Sequence, residues 1–454
     1  MVPKITIIGD CPLRRLRLLL QQSKKSDMRI TKSILILCAA TALGATTPVW
    51  AQKDSTEAKS RLTLGGYGEA VYSRHFYSDN VFRYSKAEKY KDAPGYGRVD
   101  LPHAVIMVGY DFGHGWTVGT EIEFEHGGIE AAVEKETEET GEFEQELERG
   151  GEVALEQFWV QKSFSKALNI RAGHIVVPVG MTNNGHTPNL FFSVYRPEGE
   201  NTIMPCTWHE TGISVWGRAG SWRYEAQLLP GLNSNFFNDQ GWIHNGSASP
   251  YEFRPANALA CAARIDWSGI KGLRLSLSGY LGGSNNNDIV TDPNGKYYKY
   301  NAVVAIGAFD FAYRNQWLTV RGNVDYGHLN DAAAISARNK NQTTMTGNPY
   351  PHTFVGEAAW DASVEAGVNT LAWSNTKQKL YVFGRYDQYD SYVPAEGLTD
   401  IGWCARTVVS GGINWCPIPE VAVKAEGGVR LLDSQYNNEP FFALGVTWTG
   451  FFIH

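Results

Sequence analysis

From Ser60 to the C-terminus, polar and apolar residues alternate in sixteen short segments. The last segment is the clearest. Phe442, Leu444, Val446, Trp448 and Phe452 share one parity, and Ala443, Gly445, Thr447 and Thr449 share the other. Successive side chains of a β-strand point to opposite faces, so one face of this segment is apolar and the other small or polar. Leu318, Val320, Val324 and Tyr326 alternate in the same way with Thr319, Arg321, Asn323 and Asp325. Leu380 and Val382 alternate with Tyr381 before Arg385 and Asp387 continue the inner parity. These charges fall where a soluble sandwich would need core.

The connections alternate as well. Short turns are predicted near 113–115, 165–167, 219–220, 268–271, 315–316, 372–377 and 417–419. Long loops are predicted near 77–96, 127–151, 179–208, 231–255, 284–300, 329–355, 392–401 and 432–439. Seven short turns and eight long loops join sixteen strands and leave both termini on the short-turn side. The pattern predicts an all-β chain, a transmembrane antiparallel β-barrel of about 16 strands, with both termini periplasmic. Trp116, Trp222, Trp267, Trp317, Trp373 and Trp415 lie at or beside short turns, as expected of an interfacial aromatic girdle. The alternative is that tryptophans fill strand ends in any β protein.

Mean hydropathy is only −0.29, as expected when half of each strand faces water. The one long apolar run is N-terminal. Arg29 and Lys32 precede Ile34 to Leu43 and then Val49-Trp50-Ala51, which reads as a signal peptide over 28–51 cleaved before Gln52. Residues 1–27 read as a non-native upstream extension, 52–59 as a short periplasmic segment and 60–454 as the barrel. Leu37 before Cys38 is too large for a lipoprotein signal. Cys206, Cys261, Cys404 and Cys416 remain after processing, without metal-binding spacing, and their pairing is left open.

Removing residues 1–51 lowers Lys plus Arg from 41 to 33 and Asp plus Glu from 47 to 45, so the net charge becomes −12. Glu130 to Glu152 carries ten acids against Lys135 and Arg149. That loop could gather cations at a channel mouth or hold divalent ions against lipopolysaccharide phosphates. The alternative, a solvated and mobile loop, is the favoured reading. On the inner parity, Glu121, Glu123 and Glu125 sit together on the third strand, whereas Arg171, Arg321, Arg385 and other bases spread over later strands. Opposite walls of opposite sign would orient polar solutes. The alternative is ion pairing between neighbouring strands. The third long loop, Val179 to Trp208, is rich in proline and aromatic residues. Phe191, Phe192 and Tyr195 predict that it folds inward and narrows the lumen, with Arg196, Glu198 and Glu200 at the constriction. The alternative is a loop packed at a subunit interface. Arg196, Arg321 and Arg385 are expected to favour anions, and Glu121, Glu123 and Glu125 cations.

Leu64-Gly-Gly-Tyr-Gly-Glu69, Arg171-Ala-Gly-His174 running into Val177-Pro-Val-Gly180, and Arg196-Pro-Glu-Gly-Glu-Asn201 followed by His209-Glu-Thr-Gly-Ile213 carry a resemblance. The chain resembles the phosphate-selective porin O and P family, in a Bacteroidetes-like branch. The resemblance implies a sixteen-stranded outer-membrane channel, a homotrimer, with an infolded third extracellular loop. Its lipid-side partners would be outer-membrane lipid and lipopolysaccharide, and its solutes small hydrophilic molecules or ions, with phosphate one candidate. The acidic balance departs from the basic arrays that phosphate selectivity implies.

Other classes are weaker. No GxSxG elbow is present, and His209-Glu210 lacks a nucleophile at a readable spacing, so no enzyme and no cofactor are expected. Asp288 and Asp292 lack a full calcium-loop pattern. Net charge and motifs give no support to nucleic-acid binding. A surface adhesin or receptor-type barrel with a narrow or plugged lumen is the alternative, because the loops near 231–255 and 329–355 are long and rich in Asn, Gly and aromatics.

Overall fold

The computed structural model describes residues 60–127, 131–135, 145–149, 153–249, 252–285, 287, 301–341 and 351–453. The presequence, most of the acidic loop and most of the calcium-loop candidate at 285–294, including Asp288 and Asp292, lie outside them. The chain forms a closed antiparallel β-barrel of sixteen staves. These are β1 (Leu62–His75), β2 (Tyr96–Asp100 and His103–Gly113), β3 (Trp116–Glu125), β4 (Val153–Ser165), β5 (Leu168–Val176), β6 (His209–Ala219), β7 (Trp222–Pro230) and β8 (Leu259–Trp267). They continue as β9 (Leu273–Gly283), β10 (Val303–Arg314), β11 (Leu318–Leu329), β12 (Ala358–Asn369), β13 (Lys379–Val393), β14 (Ala405–Ile418), β15 (Val421–Leu431) and β16 (Glu439–Ile453). Each stave pairs with its sequence neighbour, and β1 pairs with β16 from Leu64 opposite Ile453 to His75 opposite Phe441, which closes the barrel. Closure leaves no edge strand unpaired.

The alternation of short turns and long connections is the one the sequence pattern predicts. One feature was not legible. The second stave is broken at Leu101-Pro102, so its two pieces pair separately with the two halves of β1. Pro102 has no N–H to give the ladder.

The outer face carries Leu277, Phe309, Val324, Val382, Leu444 and Val446, all exposed. Trp116, Trp222, Trp317, Trp373 and Trp415 are exposed at the short-turn end, and Trp317 packs on Trp373 with ring centroids 4.3 Å apart. The inside is filled rather than hollow on one side. The described parts of connections 231–258 and 330–357 contribute to that filling. They bring Leu232, Phe237, Trp242 and Ile335 into one buried cluster with Trp208 and Tyr280. The Trp242 indole lies against Gly327, where an added Cβ would stand 2.0 Å from the ring. Each such large side chain contributes roughly 1.5–3 kcal/mol of burial.

Candidate functional site

The third long connection, 177–208, crosses the lumen as predicted, and the inner-parity charges hold it there. At its start Gly180 accepts from Arg264 Nη1 on β8 at 2.9 Å and donates to Ser278 Oγ on β9 at 3.2 Å. Lys424 on β15 donates to the carbonyls of Pro188, Phe191 and Ser193 at 2.6, 2.9 and 2.8 Å. Glu365 on β12 accepts from the Phe192 and Ser193 amides at 3.1 and 3.4 Å, and Glu426 on β15 from Val194 at 2.9 Å. Asp387 on β13 accepts the amides of Glu198 and Gly199 at 3.0 Å each, which caps the short helix Glu198–Ile203. The aromatic residues serve the same end. Phe192 stacks on Phe383 and Tyr381, and Val194 packs on Val71 and Ala443.

The nine candidate lumen residues divide between fasteners, a polar pocket and the mouth. Arg321 and Arg385 do not stand free in water. Arg321 bonds Glu365 at 2.9 Å, and Arg385 bonds Asp387. Both pairs are buried, because the inserted loop removes the water that would have solvated them and opposite charges must then be paired. Arg171 is buried against Gln161, its guanidinium 4.6 Å from the Trp159 ring centroid. Glu200 accepts the amides of Met181, Thr182 and Asn183 at 2.8, 2.9 and 2.8 Å. Its burial, with Asp325 adding and those three amides opposing, pushes its carboxyl up to about 8. Glu198, two residues earlier, is held down to about 2. Burial raises it, but the Arg430 and Arg406 guanidiniums outweigh that. Glu121 and Glu123 are buried, and Glu125 is half-buried. Arg196 donates to the Cys206 carbonyl at 3.2 Å.

A second charged wall runs across β7 to β10. Arg223 lies 3.6 Å from Asp266. Arg264 bonds Asp266 at 2.8 Å and Asp310 at 2.7 Å, and Arg274 bonds Asp310 at 2.8 Å. This is the ion-paired alternative of the sequence reading realised as a continuous chain.

The mouth on the long-loop side is different. Arg430 on β15 bonds Glu198 at 2.7 Å and Glu439 at 3.2 Å, and Arg83 bonds Glu439 at 2.8 Å. Arg83 lies 4.3 Å and Arg406 5.5 Å from the Tyr84 ring centroid, and Arg98 is 5.2 Å from that of Tyr195. A cavity of about 60 Å³ sits beneath, bounded by His75, Tyr195, Arg196, Glu198, Arg385 and Arg430. Arg430 was legible as the inner-parity residue that continues Lys424, Glu426 and Gly428. Arg83 comes from a connection, and no periodic signal could place it.

His209 and Glu210 separate. The His209 ring meets His174 at 2.5 Å on the outer parity, and Glu210 faces inward to Arg254 at 3.1 Å. Among the described residues Cys206, Cys261, Cys404 and Cys416 form no disulfide.

No family model matches the chain, so its resemblance to phosphate-selective porins stands on the motifs alone. A relative in Aquifex aeolicus strain VF5, an uncharacterised protein, is 26% identical over 402 residues, covering 86% of this chain and 80% of the relative. Among solved structures, the outer-membrane channel DcaP of Acinetobacter baumannii is similar at a TM-score of 0.49 and 11% identity, over 87% of this chain and 100% of that one. An anion-selective porin from Comamonas acidovorans is similar at 0.48 and 10% identity, over 86% and 99%. OprB of Pseudomonas putida is similar at 0.46 and 8% identity, over 87% and 100%.

Proposed function

We propose that the chain is an outer-membrane porin through which small hydrophilic solutes and ions diffuse down their gradients. The observation that carries this reading is the inverted barrel itself, with apolar residues outside, charges inside, and one connection drawn across the lumen by those charges. A soluble barrel has no use for an exposed apolar band closed by a tryptophan girdle. No chemistry step is required.

Solutes enter on the long-loop side, past Arg83, Arg98, Arg406 and Arg430. Glu198, Glu439 and Asp100, which lies 3.5 Å from Arg98, answer three of those four charges, so the mouth keeps a net positive charge and favours anions, phosphate among the candidates. Arg321 and Arg385 act on solutes only weakly, because each has a carboxylate partner. The family resemblance extends the proposal to a homotrimer in contact with outer-membrane lipid and lipopolysaccharide.

The test is single-channel conductance and reversal potential of the purified protein in a planar bilayer under a salt gradient. Stable steps with an anion-directed reversal potential support the proposal, and steps with cation preference remove the anion assignment. A silent protein overturns the channel in favour of a plugged, surface-binding barrel.

A further inference from the structure

We infer that the inner wall where β3 and β4 meet the third long connection binds one divalent transition-metal ion, with Glu121, Glu156 and His186 as ligands. One ligand atom from each of the three lies within 4.8 Å of the others, and all three residues are buried. Bonds of about 2.1 Å space neighbouring donors by roughly 3 to 3.5 Å, which a small rotamer adjustment reaches.

Glu156 is the residue that points to a ligand. On β4 the outer parity is set by Leu155 below a register shift and by Phe158 and Val160 above it, all exposed. Strand pairing runs from Glu121 opposite Gln157 to Ile122 opposite Leu155 and skips Glu156. That bulge turns Glu156 inward, and bulges re-aim side chains in this way. It is 1% exposed, and neither carboxylate oxygen has a hydrogen-bond partner. Glu123 and the His186 and Arg196 charges lie close enough to act on it, but no donor is bonded to either oxygen, so a buried carboxylate that would otherwise cost several kcal/mol stands open to a ligand.

His186 supplies the complementary half. Its Nδ1 lies 2.9 Å from the Asn183 carbonyl, which can only accept, so Nδ1 carries the proton and donates. Nε2 has no hydrogen-bond partner and lies 3.9 Å from Glu121 Oε1, so loss of its proton on metal binding would present a lone pair to the ion. A backbone carbonyl on the far nitrogen is the usual orienting contact of a metal-bound histidine. Glu121 keeps one oxygen on Gln157 and leaves Oε1 without a partner. Two carboxylates and one imidazole suit Zn²⁺ or Mn²⁺ better than Ca²⁺ or Mg²⁺, which take oxygen alone. Nearby, His103 is already engaged by Glu69 at 2.5 Å and needs no ion. A bound ion would tie His186 of the crossing connection to the β3–β4 wall.

The experiment is Zn²⁺ titration of the whole purified protein after chelator treatment, read by competition with a chromophoric chelator and by X-ray absorption. One Zn²⁺ per chain is expected, with one imidazole and oxygen ligands in the first shell. H186Q and E156Q should each weaken binding at least tenfold, with folding verified by heat-modifiable migration. A variant lacking the outward pair, H174A/H209A, should bind as the parent does. Absence of stoichiometric binding overturns the proposal and leaves the carboxylates sharing a proton. Binding lost in H174A/H209A and kept in H186Q overturns it as well. The absorption spectrum of the parent decides the matter independently of whether a variant folds.

Discussion

The two halves of this barrel use arginine in opposite ways. Across β7 to β10, Arg223 and Arg264 alternate with Asp266 and Asp310 in a closed chain, topped by the apolar cluster of Trp208, Trp242 and Phe237. Around β13 to β1, Arg406 and Arg430 keep about a fifth of their side-chain surface and lie against tyrosine rings beside a cavity. Both halves place charges on the inner parity, so the pattern of charge along a strand does not distinguish them. What differs is what else surrounds the guanidinium. Arg223 faces Asp266 and Arg264 faces Glu225, and both are closed in by carboxylates as part of a core. Arg406 faces Tyr389, and Arg430, although it faces Glu439, also lies against the Tyr77 and Phe441 rings and keeps part of its surface open to solutes.

That contrast is broken most strongly from the closed side. Arg264→Met takes from Asp266 and Asp310 the guanidinium they share, leaving them only Arg223 at 3.6 Å and Arg274 at 2.8 Å, and releases the Gly180 carbonyl; breaking a buried pair from one side costs roughly 3–5 kcal/mol. The thermal transition of the barrel should fall sharply, whereas Arg430→Ala at the mouth should lower it less, because Arg406 stays beside Glu198 and Arg83 beside Glu439. Equal losses for the two would erase the distinction.

The next effect concerns the crossing connection. Lys424→Met removes one ammonium from three backbone carbonyls, a loss of about 3 kcal/mol at charge-assisted bond values. The loss is local, because the barrel ladder is untouched. Single-channel conductance should rise as the connection leaves the lumen, and protease cleavage between 177 and 208 should appear. Unchanged conductance would mean that other fasteners, Glu365 and Asp387, suffice.

The barrel was legible because its rule is periodic. Parity, turn alternation and the tryptophans at short turns each recur along the chain and each point to the same architecture. The infolded connection was legible from Phe191, Phe192 and Tyr195, which a free loop does not need. The state of the inner charges was not. Arg321 reads as a pore residue until the Phe192 and Ser193 amides occupy Glu365 beside it, and such a contact joins positions 172 or more residues apart. Glu156 was hidden for a different reason. It sits on the outer parity of its strand, and only the register shift beside Ile122 reveals that it turns inward.

A smaller effect tests the open side. Replacing Arg83, Arg98, Arg406 and Arg430 together by Gln should move the reversal potential toward cations. Replacing Arg223 and Arg274 by Gln should leave selectivity almost unchanged, since their charge is already cancelled by Glu225, Asp266 and Asp310. A larger shift from the second set than from the first would reverse the assignment of the two halves.

The smallest effect is a pH dependence set by two carboxyls on one short helix. Glu198 has its folded value depressed to about 2, against burial, by Arg430 and Arg406. Its contribution is therefore complete above the ordinary carboxylate value near 4.5 and is lost as pH falls toward 2. Glu200 is raised to about 8 by burial, with Asp325 adding and the amides of residues 181–183 opposing. Its contribution is complete below about 4.5 and declines as pH rises through 8. The helix is thus fastened best between two opposed limbs, and conductance noise should increase on either side. Glu200→Gln should flatten the alkaline limb and spare the acid one, and Glu198→Gln should do the reverse. The limbs have separate causes because Asp387 caps the helix between them without changing either carboxyl's partners, so an alkaline limb that survives Glu200→Gln assigns that titration to the wall and not to the crossing connection.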